Sequence, residues 1–261
     1  MPLMTLMLID IGNTRLKWGM YQDATFGAKP IAQGAVFLER INELAERDWK
    51  QLPEPKHILV SSVTSQAVRN LVNEQLELWP VIPEWATVKA SQCGVTNGYT
   101  HPVRLGIDRW MALIGAHQHL QTKSEQVPVI VSMVGTAVTV DALDNKGAFL
   151  GGIIMPGHGI MQNALRTGTA GLHVPTGHIR NFPTNTSDAL TTGGTYAITG
   201  AIERMSINLY NKTGQKPKIV LTGGAAWKVI SHLLSPAILM ESLIFDGVMA
   251  VAIETWYTNP V

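Results

Sequence analysis

Apolar residues run in short blocks along this chain, and small polar or glycine-bearing turns break the blocks. Residues 4–10 and 15–21 are two such blocks joined by a polar tip, a pattern that predicts a strand hairpin. A third strand is expected near 31–36. Over 37–50 the spacing changes: Leu38, Ile41, Leu44 and Ala45 recur at helical intervals until Pro53 and Pro55 end the pattern. Residues 57–63 read as a buried strand. Residues 66–79 return to helical spacing through Val68, Leu71, Val72 and Leu76. Strands alternating with helices are the signature of an α/β fold.

A polar stretch, 91–104, carries Gly94, Asn97, Gly98, Tyr99 and Pro102 and reads as a long loop. Loops of that length inside a domain are commonly functional. An amphipathic helix is expected over 108–121, with Ile107, Trp110, Met111, Ile114 and Leu120 on one face. The short polar break at 122–126 divides the chain into expected domains 1–122 and 123–261. After it the opening theme returns. Strand 127–134 leads into the turn Gly135-Thr136-Ala137, strand 138–143 follows, and strand 147–155 closes at Pro156-Gly157. Two strand–turn–strand units, each with glycine and threonine at the tip, suggest a duplicated architecture. Further on, 160–165, 187–210, 225–234 and 245–257 read as helices. Residues 166–185 read as a loop, and 218–221 as a strand before Thr222-Gly223-Gly224.

The 261 residues are 46% hydrophobic and 15% charged, enough for one large core or two of moderate size. Twenty basic and 19 acidic residues leave a net charge of +1, so no basic field favours nucleic acid or an anionic membrane. No apolar run reaches the ~18 residues of a membrane helix. Asp10 interrupts the apolar N-terminus, which lacks a basic leader, so a signal peptide is not expected. The single cysteine, Cys93, excludes an intramolecular disulfide and a cysteine-rich zinc site, and is compatible with a reducing, cytoplasmic setting. A partly buried small residue is its expected role. The eight histidines show no ligand spacing: His117 and His119 are two apart, and His101, His158, His173 and His178 fall in loops. Structural or solvent-facing roles are expected for them. The phosphate loop G-x-x-x-x-G-K-[ST], the fingerprint G-x-G-x-x-G and the zinc motif H-E-x-x-H are all absent.

Three constellations carry chemistry. The first is Asp10, Gly12, Asn13, Thr14 and Lys17 at the hairpin tip. A carboxylate there can hold a metal ion, a glycine admits close approach of an anion, and the polar side chains can donate to phosphate oxygens. An ordinary polar turn has the same composition. The second is Gly106-Ile107-Asp108-Arg109 at a helix start. Asp108 could accept a proton from a hydroxyl, and Arg109 could grip a carboxylate or phosphate through its planar fork. The bland alternative is a dipole-compensating acid beside a surface pair. The helix N-terminus is also expected to lower the aspartate's pKa and weaken it as a base. The third is Gly135-Thr136 at a strand end, either a second phosphate contact or a tight turn. Gly151-Gly152, Met155-Pro156-Gly157 and Thr222-Gly223-Gly224 are softer signals that read first as turns.

The set IDIGNTRLK, NGY, LGIDRW, VGTAVTVD, GGIIMPG and NTSDAL stands in this order across residues 9–190, with LTGG beyond it. Together these motifs resemble the type III pantothenate kinase family over nearly the whole chain. The resemblance implies two ribonuclease-H-like, actin-like halves enclosing ATP, and phosphorylation of the pantothenate hydroxyl, the first step toward coenzyme A. It implies that Asp10, Ile11, Gly12, Asn13, Thr14, Arg15, Leu16 and Lys17 form the ATP phosphate loop, with Asp10 near magnesium, and that Thr136 contacts ATP from the second half. Tyr99, Gly106, Ile107, Asp108, Arg109 and Thr186 would bind pantothenate, Arg109 at its carboxylate, and Asp108 would be the proton acceptor. A homodimer is implied as well. One position departs from the family: many members carry an aspartate two residues before the G-T-A glycine, where it helps bind potassium or ammonium. Met133 stands there in this chain, and a thioether is a poor ligand for a hard cation. Two alternatives stay open: a kinase for another small acid or sugar, and a regulatory member of the superfamily that binds ATP without a small-molecule acceptor.

Overall fold

The central strand of the first sheet is apolar at five of its six positions, LMLIDI, and every one of them is buried. A strand covered on both faces reads as a continuous apolar run rather than an alternation. The computed structural model describes residues 5–169, 172 and 174–257. By contacts the chain forms two compact units: unit 1 comprises the residues up to Thr122 and those from Leu243 onward, and unit 2 is Lys123–Ser242.

Unit 1 opens with the expected hairpin, β1 (Leu6–Ile11) antiparallel to β2 (Arg15–Tyr21), with β3 (Ala32–Phe37) beside β2. Residue 4, expected to start the first strand, lies outside the described residues. β4 (His57–Ser62) runs parallel to β1, α1 (Gln66–Leu76) follows, and β5 (Glu84–Trp85) lies beside β4. The order is β3-β2-β1-β4-β5. The helix expected over 37–50 is instead a 3₁₀ segment, Leu38–Glu43, followed by a π segment, Leu44–Trp49, with Arg40 out of helical geometry. Burial of Ile41, Leu44 and Trp49 against the sheet dictates that winding. The stretch expected as a loop over 91–104 holds a small hairpin, β6 (Ser91–Gln92) with β7 (Val95–Asn97), and a 3₁₀ turn at Pro102–Arg104. The next helix, α2 (Ile107–Thr122), is buried on almost every face rather than along one stripe.

Unit 2 repeats the plan. β8 (Val129–Val134), β9 (Ala137–Leu143) and β10 (Ala148–Pro156) form an antiparallel meander. α3 (His158–Gly168) and α4 (Thr186–Thr213) follow, and then β11 (Lys218–Thr222) runs parallel to β8 and β12 (Ala237–Leu239) parallel to β11. Five strands of its sheet, in the order β10-β9-β8-β11-β12, repeat the order of the unit 1 sheet. This bears out the duplication read from the strand–turn–strand themes. Residues 225–234 form two 3₁₀ turns, Ala226–Lys228 and Ile230–His232, in place of one helix.

The last helix, α5 (Leu243–Trp256), follows unit 2 in the chain but packs in unit 1, against α2. This corrects the expected boundary for the second domain, 123–261. Two glycines permit the pairing. A Cβ on Gly247 would lie 1.9 Å from the Met111 carbonyl oxygen, and one on Gly115 would lie 2.3 Å from that of Leu243. The two helix backbones therefore touch, and both helices pack on the sheet, α5 against β1 and β4 and α2 against β4. Replacing Gly247 with alanine forces backbone apart rather than a flexible side chain. Gly247→Ala is expected to destabilise the protein by at least about 1–3 kcal/mol. A urea midpoint equal to that of the parent would contradict the close crossing. Among the described residues no helix is long and apolar enough to cross a membrane.

Candidate active site

Asp10 closes β1 just before the Gly12–Thr14 turn. Its partners in register are Lys17 on β2 and Ser61 on β4, so the three side chains stand in one row across three strands. Asp10 is 8% exposed. Burial raises its pKa to about 7, the charge of Asp108 adds to the rise, and Lys17 and then the Ser61 hydroxyl pull it back. Ser61 contributes least, and its buried oxygen meets no partner at hydrogen-bonding geometry. Two acids thus share one neighbourhood, and a positive ion placed there would relieve both.

The turn itself is tight. The Gly12 N–H donates to the Arg15 carbonyl at 3.0 Å, and the Leu38 N–H donates to the Thr14 carbonyl at 3.3 Å. A Cβ on Gly12 would make only an ordinary 3.7 Å contact with the Arg15 oxygen. The packing of the turn therefore does not by itself require glycine there. Asn13, Thr14, Arg15 and Lys17 are exposed, whereas Ile11 and Leu16 are core residues that face the turn only through their backbones. Arg15 lies over the Phe37 ring at 4.4 Å.

Asp108 sits in the first turn of α2. Glycine at 106 makes room for it: a Cβ there would lie 2.7 Å from Asp108 Oδ1. The Arg109 N–H donates to the same oxygen at 2.8 Å. Burial raises the Asp108 pKa and outweighs the lowering by the Arg109 N–H and guanidinium. The expectation that the helix N-terminus would weaken this base is therefore overturned, because desolvation of the carboxylate is the larger effect.

Arg109 is 4% exposed. Its Nη1 donates to the Tyr99 hydroxyl at 2.7 Å, and its guanidinium carbon lies 5.5 Å from the Tyr99 ring centre. Asn97 fixes Tyr99: it accepts from the Tyr99 N–H at 3.0 Å and donates to the Pro102 carbonyl at 3.3 Å. Ile107 is a core side chain. Asn97 was visible in the sequence only as a loop residue. Ser61 gave no signal at all, since it lies inside an apolar strand.

In unit 2 the Gly135-Thr136 turn is closed by the Gly135 N–H donating to the Ala137 carbonyl at 3.0 Å, and Thr136 is exposed. The softer glycine motifs gather around it. The Gly157 N–H donates to the Thr136 carbonyl at 2.9 Å, and a Cβ on Gly157 would lie 2.1 Å from the Gly135 oxygen. Gly223, at φ +97°, rests against Val134, whose carbonyl accepts from the Ala225 N–H at 3.0 Å. Thr186 is exposed at the start of α4. Asn185 caps that helix by accepting from the Asp188 N–H at 2.9 Å. The His178 N–H, donating to Asp188, is the main reason its carboxyl lies below the usual range.

Met133, half-buried on β8, is paired with Thr139 on β9, whose buried hydroxyl has no hydrogen-bond partner. Cys93 is held by its N–H donating to Glu254 at 2.8 Å, and burial followed by the Glu254 charge lifts its thiol to about 12. Such a thiol stays protonated near neutral pH and is a poor nucleophile. Three histidines pack: His57 stacks on Trp256 at 4.4 Å, His119 pairs with Asp246 at 2.8 Å, and His158 bonds the Thr191 carbonyl at 3.2 Å, whereas His101 and His178 are exposed. His173 lies outside the described residues.

The architecture is the two-unit, ribonuclease-H-like fold of the actin-like ATPases and sugar kinases. It aligns over 95% of this chain and 98% of the other with a glucokinase from an Antarctic psychrotroph, at a TM-score of 0.51 and 10% identity. The family profile of type III pantothenate kinase matches residues 6–208, and the chain belongs to that family. A type III pantothenate kinase from Methylibium petroleiphilum is 56% identical over 252 residues, 96% of this chain and 99% of that one. Another from Acidovorax ebreus is 55% identical over 257 residues, 98% of this chain and 100% of that one.

Proposed function

We propose that this protein is a pantothenate kinase, moving the γ-phosphate of ATP to the hydroxyl of pantothenate to give 4′-phosphopantothenate, the first step of coenzyme A biosynthesis. The observation that carries the reading is the neighbouring acids Asp10 and Asp108, with their raised pKa values, beside an exposed polar turn and a buried Arg109 bonded to a half-buried Tyr99. Asn13, Thr14, Arg15 and Lys17 supply donors for phosphate oxygens, with Thr136 as a further ATP contact. Asp108 orients the acceptor hydroxyl and takes its proton. Arg109 binds the pantothenate carboxylate, Tyr99 and Thr186 line the acceptor, and Gly106 and Ile107 shape the helix start. Phosphoryl transfer of this kind rests on positioning and charge stabilisation.

Magnesium suits the donor set, because Asp10 offers hard oxygen and Mg²⁺ is ordinarily held by one or two carboxylates plus substrate phosphates. Asp10 would hold it directly or through water. Once bound, magnesium offsets the charge on the phosphates.

The decisive experiment is incubation with magnesium-ATP and pantothenate, with mass detection of 4′-phosphopantothenate. Phosphorylation of a different small acid or sugar supports the first alternative. Stoichiometric ATP binding without product supports a regulatory member.

Met133 in place of the aspartate predicts a weaker potassium requirement than that of aspartate-bearing members. Rates compared in sodium, potassium and ammonium buffers test this, and a steep, saturable potassium requirement contradicts it. A cytoplasmic homodimer is part of the same reading. Its support is an uncovered apolar face in unit 2, where α3 buries none of its side chains and Ile160, Leu165 and Ile154 are exposed. Light scattering is expected to give a dimer mass, and a monomer mass would refute it.

A further inference from the structure

Ser61 is a buried polar group in search of a partner. It is 0% exposed, and its hydroxyl meets no partner at full hydrogen-bonding geometry, although it lies near enough to Asp10 to lower that acid's pKa. Leaving a hydroxyl buried and unsatisfied is unfavourable, and native structures keep few such groups without a use. The next residue makes the contrast. Ser62 points to the opposite face and is satisfied, its oxygen lying 2.8 Å from that of Thr64 and accepting from the Thr64 N–H at 3.2 Å.

The register says what Ser61 can serve. It is paired with Asp10 on the neighbouring parallel strand, so both side chains leave the same face about 5 Å apart at the backbone. On the other side of β4 the pairing with β5 covers Leu59 with Glu84 and Val60 with Trp85, so among the described residues Ser61 has Asp10 as its neighbour along the row. Lys17 flanks Asp10 from β2. The carboxylate is thus bracketed by an ammonium on one side and a hydroxyl on the other.

We propose that Ser61 is a positioning residue for Asp10: its hydroxyl donates to one carboxylate oxygen and leaves the other turned toward the divalent ion that accompanies ATP. This rests on the kinase reading, which makes Asp10 the metal-facing acid. Hydrogen-bond partners behind a ligating carboxylate typically change metal affinity by 10–100-fold when removed. A hydroxyl without a second task is suited to that role, because turning it toward Asp10 breaks nothing else.

The test compares the parent with Ser61→Ala and Ser61→Thr by electron paramagnetic resonance of Mn²⁺ in the presence of ADP. Ser61→Ala is expected to weaken Mn²⁺–ADP binding by about tenfold. Its thermal midpoint is expected to change little, since only one hydroxyl is removed from a buried site. ADP affinity in EDTA and the KM for pantothenate should not change. Ser61→Thr keeps the hydroxyl and should restore metal binding; if the added methyl group unfolds it, the alanine variant decides alone. Parent-like Mn²⁺–ADP binding in Ser61→Ala overturns the proposal, as does an equal loss of metal-free ADP binding. A parent that binds Mn²⁺–ADP but yields no 4′-phosphopantothenate sinks the kinase reading and leaves the Ser61–Asp10 coupling measurable.

Discussion

Asp108→Asn is expected to slow turnover by roughly 10²–10⁴-fold, the usual contribution of a positioned general base. Asparagine keeps the size of the side chain and an oxygen that can accept the Arg109 N–H, which the carboxylate now accepts at 2.8 Å. The helix start should therefore stand, and the KM for pantothenate should change little. What is lost is the proposed proton acceptor, whose pKa burial raises despite the nearby guanidinium. A base nearer neutrality accepts a proton more readily, so the burial favours the role. Single-turnover measurements at saturating ATP and pantothenate isolate the chemical step. Near-normal turnover in this variant would remove Asp108 from the mechanism.

Arg109→Ala should act on binding of the acceptor. The guanidinium is buried, donates to the Tyr99 hydroxyl at 2.7 Å and lies beside Asp108. Truncating one member of a buried, hydrogen-bonded charge pair costs about 2–5 kcal/mol, so the KM for pantothenate should rise on the order of 10²-fold. Arg109→Lys keeps the charge but lacks the planar fork and should recover only part of the loss. Steady-state kinetics with each substrate varied in turn settle the matter. A rise confined to the KM for ATP would move Arg109 from the acceptor to the nucleotide.

Much of this site is legible in the chain because its parts are local. Asp10, Gly12 and Lys17 lie within eight residues on one hairpin, and its apolar flanks name the strands. Gly106, Asp108 and Arg109 lie within one helical turn. The duplication was visible because both hairpins carry glycine and threonine at the tip, and five strands of the second sheet repeat the order of the first. Elsewhere local pattern failed for identifiable reasons. The spacing of Leu38, Ile41 and Leu44 suits an α-helix, but packing against the sheet imposes 3₁₀ and π turns. The first turn of α2 predicted a weak acid–base group, and burial reversed the sign.

The chain by itself determined the strands, the two glycine-bearing turns and the identity of the acid–arginine pair, since each depends on residues close in sequence. The tertiary structure alone decided that α5 belongs with unit 1, that Gly157 and Gly223 brace the Gly135-Thr136 turn, and that Ser61 stands beside Asp10. Those facts depend on which surfaces meet. Periodicity states that a face is apolar or a backbone is bare, whereas only the packed chain states what lies against it.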